Sequence, residues 1–188
     1  ADPEVADDDG EVLILGAEQQ VAGAEARGGL EQFLDNGRGL GGREVDGQVP
    51  YTGMLHVFSE VDGVWGQRAA IQPAGGGLGD HFAGTMAFGV APAVAFSADG
   101  NWLVVAAEWE AGASAGVNGD RTDRSLRRSG AAYLYRKVGD TWQERSYLKA
   151  ANPGEENLLT TVAISADGST VVLGSPCEGG TSVGIGGD

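Results

Sequence analysis

One short motif occurs twice, and the residues after it repeat without a gap. Residues 94–100 read Val-Ala-Phe-Ser-Ala-Asp-Gly and residues 162–168 read Val-Ala-Ile-Ser-Ala-Asp-Gly, an offset of 68. The offset holds onward: Leu103-Val104-Val105-Ala106-Ala107 falls on Val171-Val172-Leu173-Gly174-Ser175, and Asn118-Gly119-Asp120 on Gly186-Gly187-Asp188. A second register, at 77, sets Thr52-Gly53-Met54-Leu55-His56-Val57-Phe58 over Ser129-Gly130-Ala131-Ala132-Tyr133-Leu134-Tyr135, and continues through Trp65 on Trp142 and Ile71 on Leu148. A third, at 90, sets residues 9–17 over 99–107. Such a chain must build one local unit several times and bury each unit's apolar face against its neighbour.

Each unit reads as four strands. The first covers 94–98 and 162–166, with 4–7 as its remnant in the first unit; the second covers 12–17, 102–108 and 170–175. The third covers 54–60 and 131–137, the fourth 64–72 and 141–149. Asp99-Gly100 predicts a primed two-residue hairpin turn, because glycine takes positive φ at little cost. The second strand is apolar on both faces, as a strand packed between neighbours must be. Trp65 and Trp142 open equivalent fourth strands and read as apolar covers over a sheet edge. The fold class predicted is all-β: β-propeller blades of four antiparallel strands, about two and a half of them, forming one partial propeller over 1–188 with units near 4–73, 92–150 and 160–188. Outside this pattern, residues 21–34 carry the one helical apolar stripe, and Gly75-Gly76-Gly77 reads as a flexible linker.

Composition narrows the function. A net charge of −15 excludes a general nucleic-acid partner, which needs a basic surface. Cys177 is the single cysteine, so no intramolecular disulfide or thiolate metal cluster forms. No apolar run reaches the length of a transmembrane helix. His56 and His81 lie in unrelated contexts, so no zinc spacing exists, and no nucleophile-elbow or phosphate-loop motif is present.

The repeated residues resemble the FG-GAP family, the repeat of integrin-α-type propellers, and its large bacterial-style branch in particular. The likeness rests on residues 94–100, on 103–108, on Gly116-Val117-Asn118-Gly119-Asp120, on 129–135 and on Trp142. The Phe-Gly pair that names the family does not precede Val94 or Val162; Val90-Ala91 and Leu158-Leu159 stand there instead. The resemblance implies calcium cages in Asp-rich turns. Asp7 and Asp9 alternate before Gly10, and Asn118, Asp120 and Asp123 gather in the loop 111–128; both are candidate Ca²⁺ ligand sets. The competing reading is a solvated acidic turn whose Asn and Asp side chains bond their own backbone. Asp99 and Asp167 stand alone in their turns, and one carboxylate does not hold calcium. Arg121, Arg124, Arg127 and Arg128 are expected to pair with Asp120 and Asp123, the alternative being an acidic neighbour or a glycan carboxylate.

The function expected is non-enzymatic: an extracellular or cell-surface module for protein recognition, adhesion or structural assembly. A lectin-like propeller and a fragment of a propeller enzyme with its catalytic residues elsewhere are the alternatives. Two and a half units imply further blades, from the same longer chain or another subunit.

Overall fold

The computed structural model describes residues 52–84 and 93–179, together with the backbone of 13–15. The predicted strand at 4–7, the stripe at 21–34, the Asp7–Asp9 turn and the Asn-Gly-Asp copy at 186–188 lie outside the described residues. Among those described, every regular element is a β-strand: β1 (Leu13–Leu15), β2 (Leu55–Val61), β3 (Val64–Ile71), β4 (Val94–Phe96), β5 (Trp102–Ala107), β6 (Ala131–Val138), β7 (Thr141–Leu148), β8 (Thr161–Ile164) and β9 (Val171–Gly174). They form three antiparallel sheets in chain order, β1-β2-β3, β4-β5-β6-β7 and β8-β9.

The repeats fold alike down to their irregularities. The register of β2 with β3 shifts between Val57 and Phe58, and that of β6 with β7 between Leu134 and Tyr135, the equivalent place 77 residues on. A bulge shared by both copies re-aims the side chains beyond it identically in each. The hairpin turns also match, although the two-residue turn expected at Asp99-Gly100 is replaced by a longer one. Ser97 N–H donates to Trp102 C=O at 3.0 Å and Gly100 N–H to Ser97 C=O at 2.9 Å; Ser165 N–H donates to Thr170 C=O at 2.8 Å and Gly168 N–H to Ser165 C=O at 2.9 Å. Of each Asp-Gly pair only the glycine takes positive φ, +64° at Gly100 and +73° at Gly168. The serine hydroxyl explains the longer loop. It donates to the aspartate two residues on and accepts the N–H five residues on, at 3.0 Å from Trp102 and 2.9 Å from Thr170, so the side chain fills the gap that a tighter turn would close.

β5 is the centre of the packing. Leu103, Val105 and Ala107 are fully buried in one core with Leu55, Val57 and Ile71; Val104 and Ala106 are fully buried in a second with Ala132, Leu159 and Val162. Each such large apolar side chain contributes about 1.5–3 kcal/mol by burial. The two cores are copies. Val94, Phe96, Leu103 and Val105 pack on the sheet of β2 and β3, and Val162, Ile164, Val171 and Leu173, their equivalents at 68, pack on the next sheet. The receiving residues Leu55, Val57 and Ile71 have Ala132, Leu134 and Leu148 as equivalents at 77.

The step between the two offsets is one nine-residue insertion, and its position is visible in the hydrogen bonds. Ala83 N–H donates to Ala106 C=O at 2.8 Å and Ala106 N–H to Ala93 C=O at 2.7 Å. In the next unit Thr160 N–H donates to Gly174 C=O at 3.0 Å, and Thr161 pairs with Gly174. Ala83 and Ala93 thus hold the places of the consecutive residues Thr160 and Thr161. Phe82, one residue earlier, is the equivalent of Leu159. It is fully buried edge-on against Tyr133, with ring centroids 5.6 Å apart.

Candidate functional site

The long connection from β5 to β6 carries the charged residues and one set of candidate calcium ligands. Its middle is built onto the outer edge of β7. Asn118, with φ +57°, receives the Tyr147 N–H on Oδ1 at 2.9 Å and donates its own N–H to Tyr147 C=O at 2.8 Å. Lys149 N–H donates to Gly116 C=O at 2.9 Å. Asp120 Oδ1 accepts the Thr122 N–H at 2.8 Å and its hydroxyl at 2.7 Å, which holds this carboxyl below its ordinary range. Asp123 Oδ1 accepts the Ser125 N–H at 3.0 Å. Calcium needs six to eight converging oxygens. Here Asn118, Asp120 and Asp123 each turn an oxygen to a neighbouring backbone N–H. Among the described residues no three His, Cys, Asp or Glu side chains gather as a metal site. In the hairpin turns Asp99 and Asp167 are likewise engaged. Hydrogen bonds from Ser97 and Asn101 lower Asp99 to about 2, and those from Ser165 and Ser169 lower Asp167 to about 2.

The arginines do not pair with Asp120 and Asp123 as expected. Arg121 donates to Ala74 C=O at 2.7 Å and pairs with Glu144 at 2.6 Å, while Glu144 accepts the Ala74 N–H at 3.0 Å. Its guanidinium lies over the Tyr147 ring at 4.7 Å. Arg127 and Arg128 both pair with Glu156, at 2.9 and 3.4 Å. Arg128 also covers Trp109 at 4.0 Å, and His81 stacks on the same indole at 3.8 Å. Two groups this close to one centroid must occupy opposite faces, so Trp109 has none left on which to stack a sugar ring. The local carboxylates were poor partners because each serves its own turn, and the arginines reach across to other segments instead.

Beneath the loop lies a buried ionic cluster that sequence reading missed. Glu110, 1% exposed, accepts the Gly112 N–H at 2.8 Å on Oε1, and on Oε2 the Tyr147 hydroxyl at 2.9 Å and Lys149 Nζ at 2.7 Å. Lys149 Nζ donates twice more, to Ser129 Oγ and Gly130 C=O, both at 2.7 Å. Asp80 accepts the Gly77 N–H at 2.6 Å and the guanidinium of Arg124, which also approaches Glu110 at 3.6 Å. Burial raises the Asp80 carboxyl above its ordinary value, only partly offset by Arg124, and burial lowers the Lys149 ammonium, only partly offset by Glu110. Burial also pushes the Tyr133 and Tyr147 phenols well above their ordinary range.

Ser129 and Lys149 have the atoms of a serine–lysine nucleophile pair. Their arrangement is a structural one. All three ammonium protons are donated, so the nitrogen has no lone pair with which to take the serine proton. Both side chains are buried, and the serine hydroxyl is turned to the Glu110 and Gly112 carbonyls at 3.2 and 3.1 Å. The repeat carries the same staple in neutral form: Gln72, the equivalent of Lys149, donates to Gly53 C=O at 2.9 Å. Asn157 and Glu178, the equivalents of Asp80 and Glu110, are joined directly at 2.7 Å. That coincidence of registers was the available signal: Gln72 over Lys149, and Glu110 over Glu178.

No protein-family model matches the chain, and no curated protein matches it in sequence.

Proposed function

We propose that the chain is a segment of a β-propeller assembled from FG-GAP-like repeats, serving recognition, adhesion or structural assembly at or outside the cell surface rather than catalysis. One observation carries this reading: successive sheets give and receive with the same two faces. Val94, Phe96, Leu103 and Val105 seat on the first sheet as Val162, Ile164, Val171 and Leu173 seat on the second. A contact of this head-to-tail kind propagates until a ring closes or a cap covers it. Among the described residues Val172, on the face of β9 that matches the receiving face of β5, is 60% exposed where its equivalent Val104 is fully buried. The polar residues support the same reading, since the charged loop ties units together and its functional-looking groups are used internally.

The test is sedimentation velocity over a concentration series, with Val172→Glu as the control. Concentration-dependent association that Val172→Glu abolishes is the expected result. A monomer at every concentration, with β9 amides strongly protected from exchange, refutes the open-face reading.

A further inference from the structure

Asp80 and Glu110 are two buried carboxylates that share one guanidinium, and the next repeat shows what the same position does without it. There Asn157, neutral, donates to Glu178 at 2.7 Å. An aspartic acid carrying a proton has the same hydrogen-bonding pattern as asparagine at that place: one donor toward the glutamate and one acceptor behind. We propose that Asp80 is a proton-for-arginine exchange site, at which protonation releases Arg124 and unlatches the loop 111–128 from the segment that follows β3.

The surroundings favour an exchange rather than an unfolding. Asp80 is 1% exposed, whereas the Arg124 side chain is 32% exposed and is the member with solvent to move into. Among the described residues, the charged and titratable groups facing Asp80 are Arg124 and Glu110 from the loop, Lys149 beyond β7, Tyr133 of β6 and Tyr147 of β7. Next to it in the chain, His81 is stacked on Trp109. The tyrosines, pushed up by burial, stay neutral through mild acid, and Asp80 is the facing carboxyl that burial raises. Its carboxyl is already raised by burial, and Arg124 is what holds it down. By linkage the proton weakens Arg124 by the factor by which Arg124 weakens the proton. The sign is therefore fixed: a buried Asp80 without Arg124 binds its proton more tightly still, and acid drives the arginine off.

The experiment is a carbon-detected carboxyl titration of the full chain, with amide-exchange protection of Ala113 and Leu126, whose N–H groups close the loop on Asp123 and Ala111. Protection of those two amides falls about tenfold through the Asp80 midpoint, the loss of one charge-assisted contact, while β6 amides hold. Asp80→Asn shows the lowered protection already at neutral pH, with no further fall in acid. Arg124→Gln, at a half-exposed site, does the same and moves the Asp80 midpoint upward. The proposal is overturned if Asp80→Asn keeps the neutral-pH protection, if the loop does not respond through the Asp80 midpoint, or if Arg124→Gln leaves that midpoint in place.

Discussion

Lys149→Met tests the buried cluster most directly. The ammonium and its partner carboxylate are 0% and 1% exposed and 2.7 Å apart. Methionine fills nearly the same volume, so the packing change is small and the electrostatic one large. Three acceptors lose their donor: Glu110 Oε2, Ser129 Oγ and Gly130 C=O. Glu110 keeps Gly112, Tyr147 and the more distant Arg124, which limits the damage to its charge. Removing one partner of a buried pair costs about 3–5 kcal/mol. With a urea m-value of about 2 kcal/mol/M, the midpoint falls by about 2 M. Lys149→Gln is the discriminating companion. Gln72 shows that glutamine at this place reaches the same carbonyl, so this variant should lose only about half as much as methionine does. The assay is urea unfolding at neutral pH followed by tryptophan fluorescence. A cost below about 1 kcal/mol for Lys149→Met, or equal costs for the two variants, refutes the view that the lysine's charge and donors hold the loop base.

Three further outcomes are expected. Gly130→Ala and Gly139→Ala both place a side chain at positive φ, +77° and +58°. At Gly130 the new Cβ collides with the Leu159 backbone nitrogen, whereas at Gly139 nothing lies within 4 Å. Thermal unfolding should therefore show Gly139→Ala costing about 1 kcal/mol and Gly130→Ala at least twice that. Asp99 and Asp167 have folded values near 2, below their unfolded value of 3.8. Their contribution is complete above about pH 4 and lost as pH falls through about 2, so melting temperature should drop in that window, less steeply in Ser97→Ala and Ser165→Ala. Tyr133 is shifted the other way: its stabilising effect is full below its unfolded value of 10.0 and is lost as pH rises above it. Alkaline unfolding above about pH 10, delayed in Tyr133→Phe, is the result to seek by circular dichroism.

The strands were legible because repetition supplied independent readings of each. Trp102–Ala107 had to lie between two cores, since no polar residue marks a solvent face, and it does. The turns were half legible. Asp-Gly announced a reversal, but the serine two residues earlier, which sets the loop length by taking a backbone N–H, carried no weight in a reading based on glycine alone. The insertion was measurable as a difference of offsets, yet its position depended on hydrogen bonds to Ala106 that no residue type reveals. The arginine partners were misread for a related reason. Asp120 and Asp123 are the nearest carboxylates in sequence, but Thr122 and Ser125 claim them locally, and Ala74, Asp80, Glu144 and Glu156 come near only through the fold. A lysine ending an outer strand gives no sign of being buried; only Gln72 at the matching position hints at a shared acceptor.

The splice between Ala83 and Ala93 makes this sheet a natural host for foreign sequence. Both flanking residues are clipped to the backbone of Ala106, one to its carbonyl and one to its N–H. The entropy of bringing the ends together is met by the sheet itself, and each doubling of the spliced length adds only about 0.6 kcal/mol. Deleting residues 84–92 should join Ala83 to Ala93 as Thr160 joins Thr161. Replacing them with a peptide or a small domain whose termini lie close together should leave the host sheet's melting temperature nearly unchanged. The repeat thus offers a grafting port at the head of β4, one that the chain itself already fills with nine residues its other copy does without.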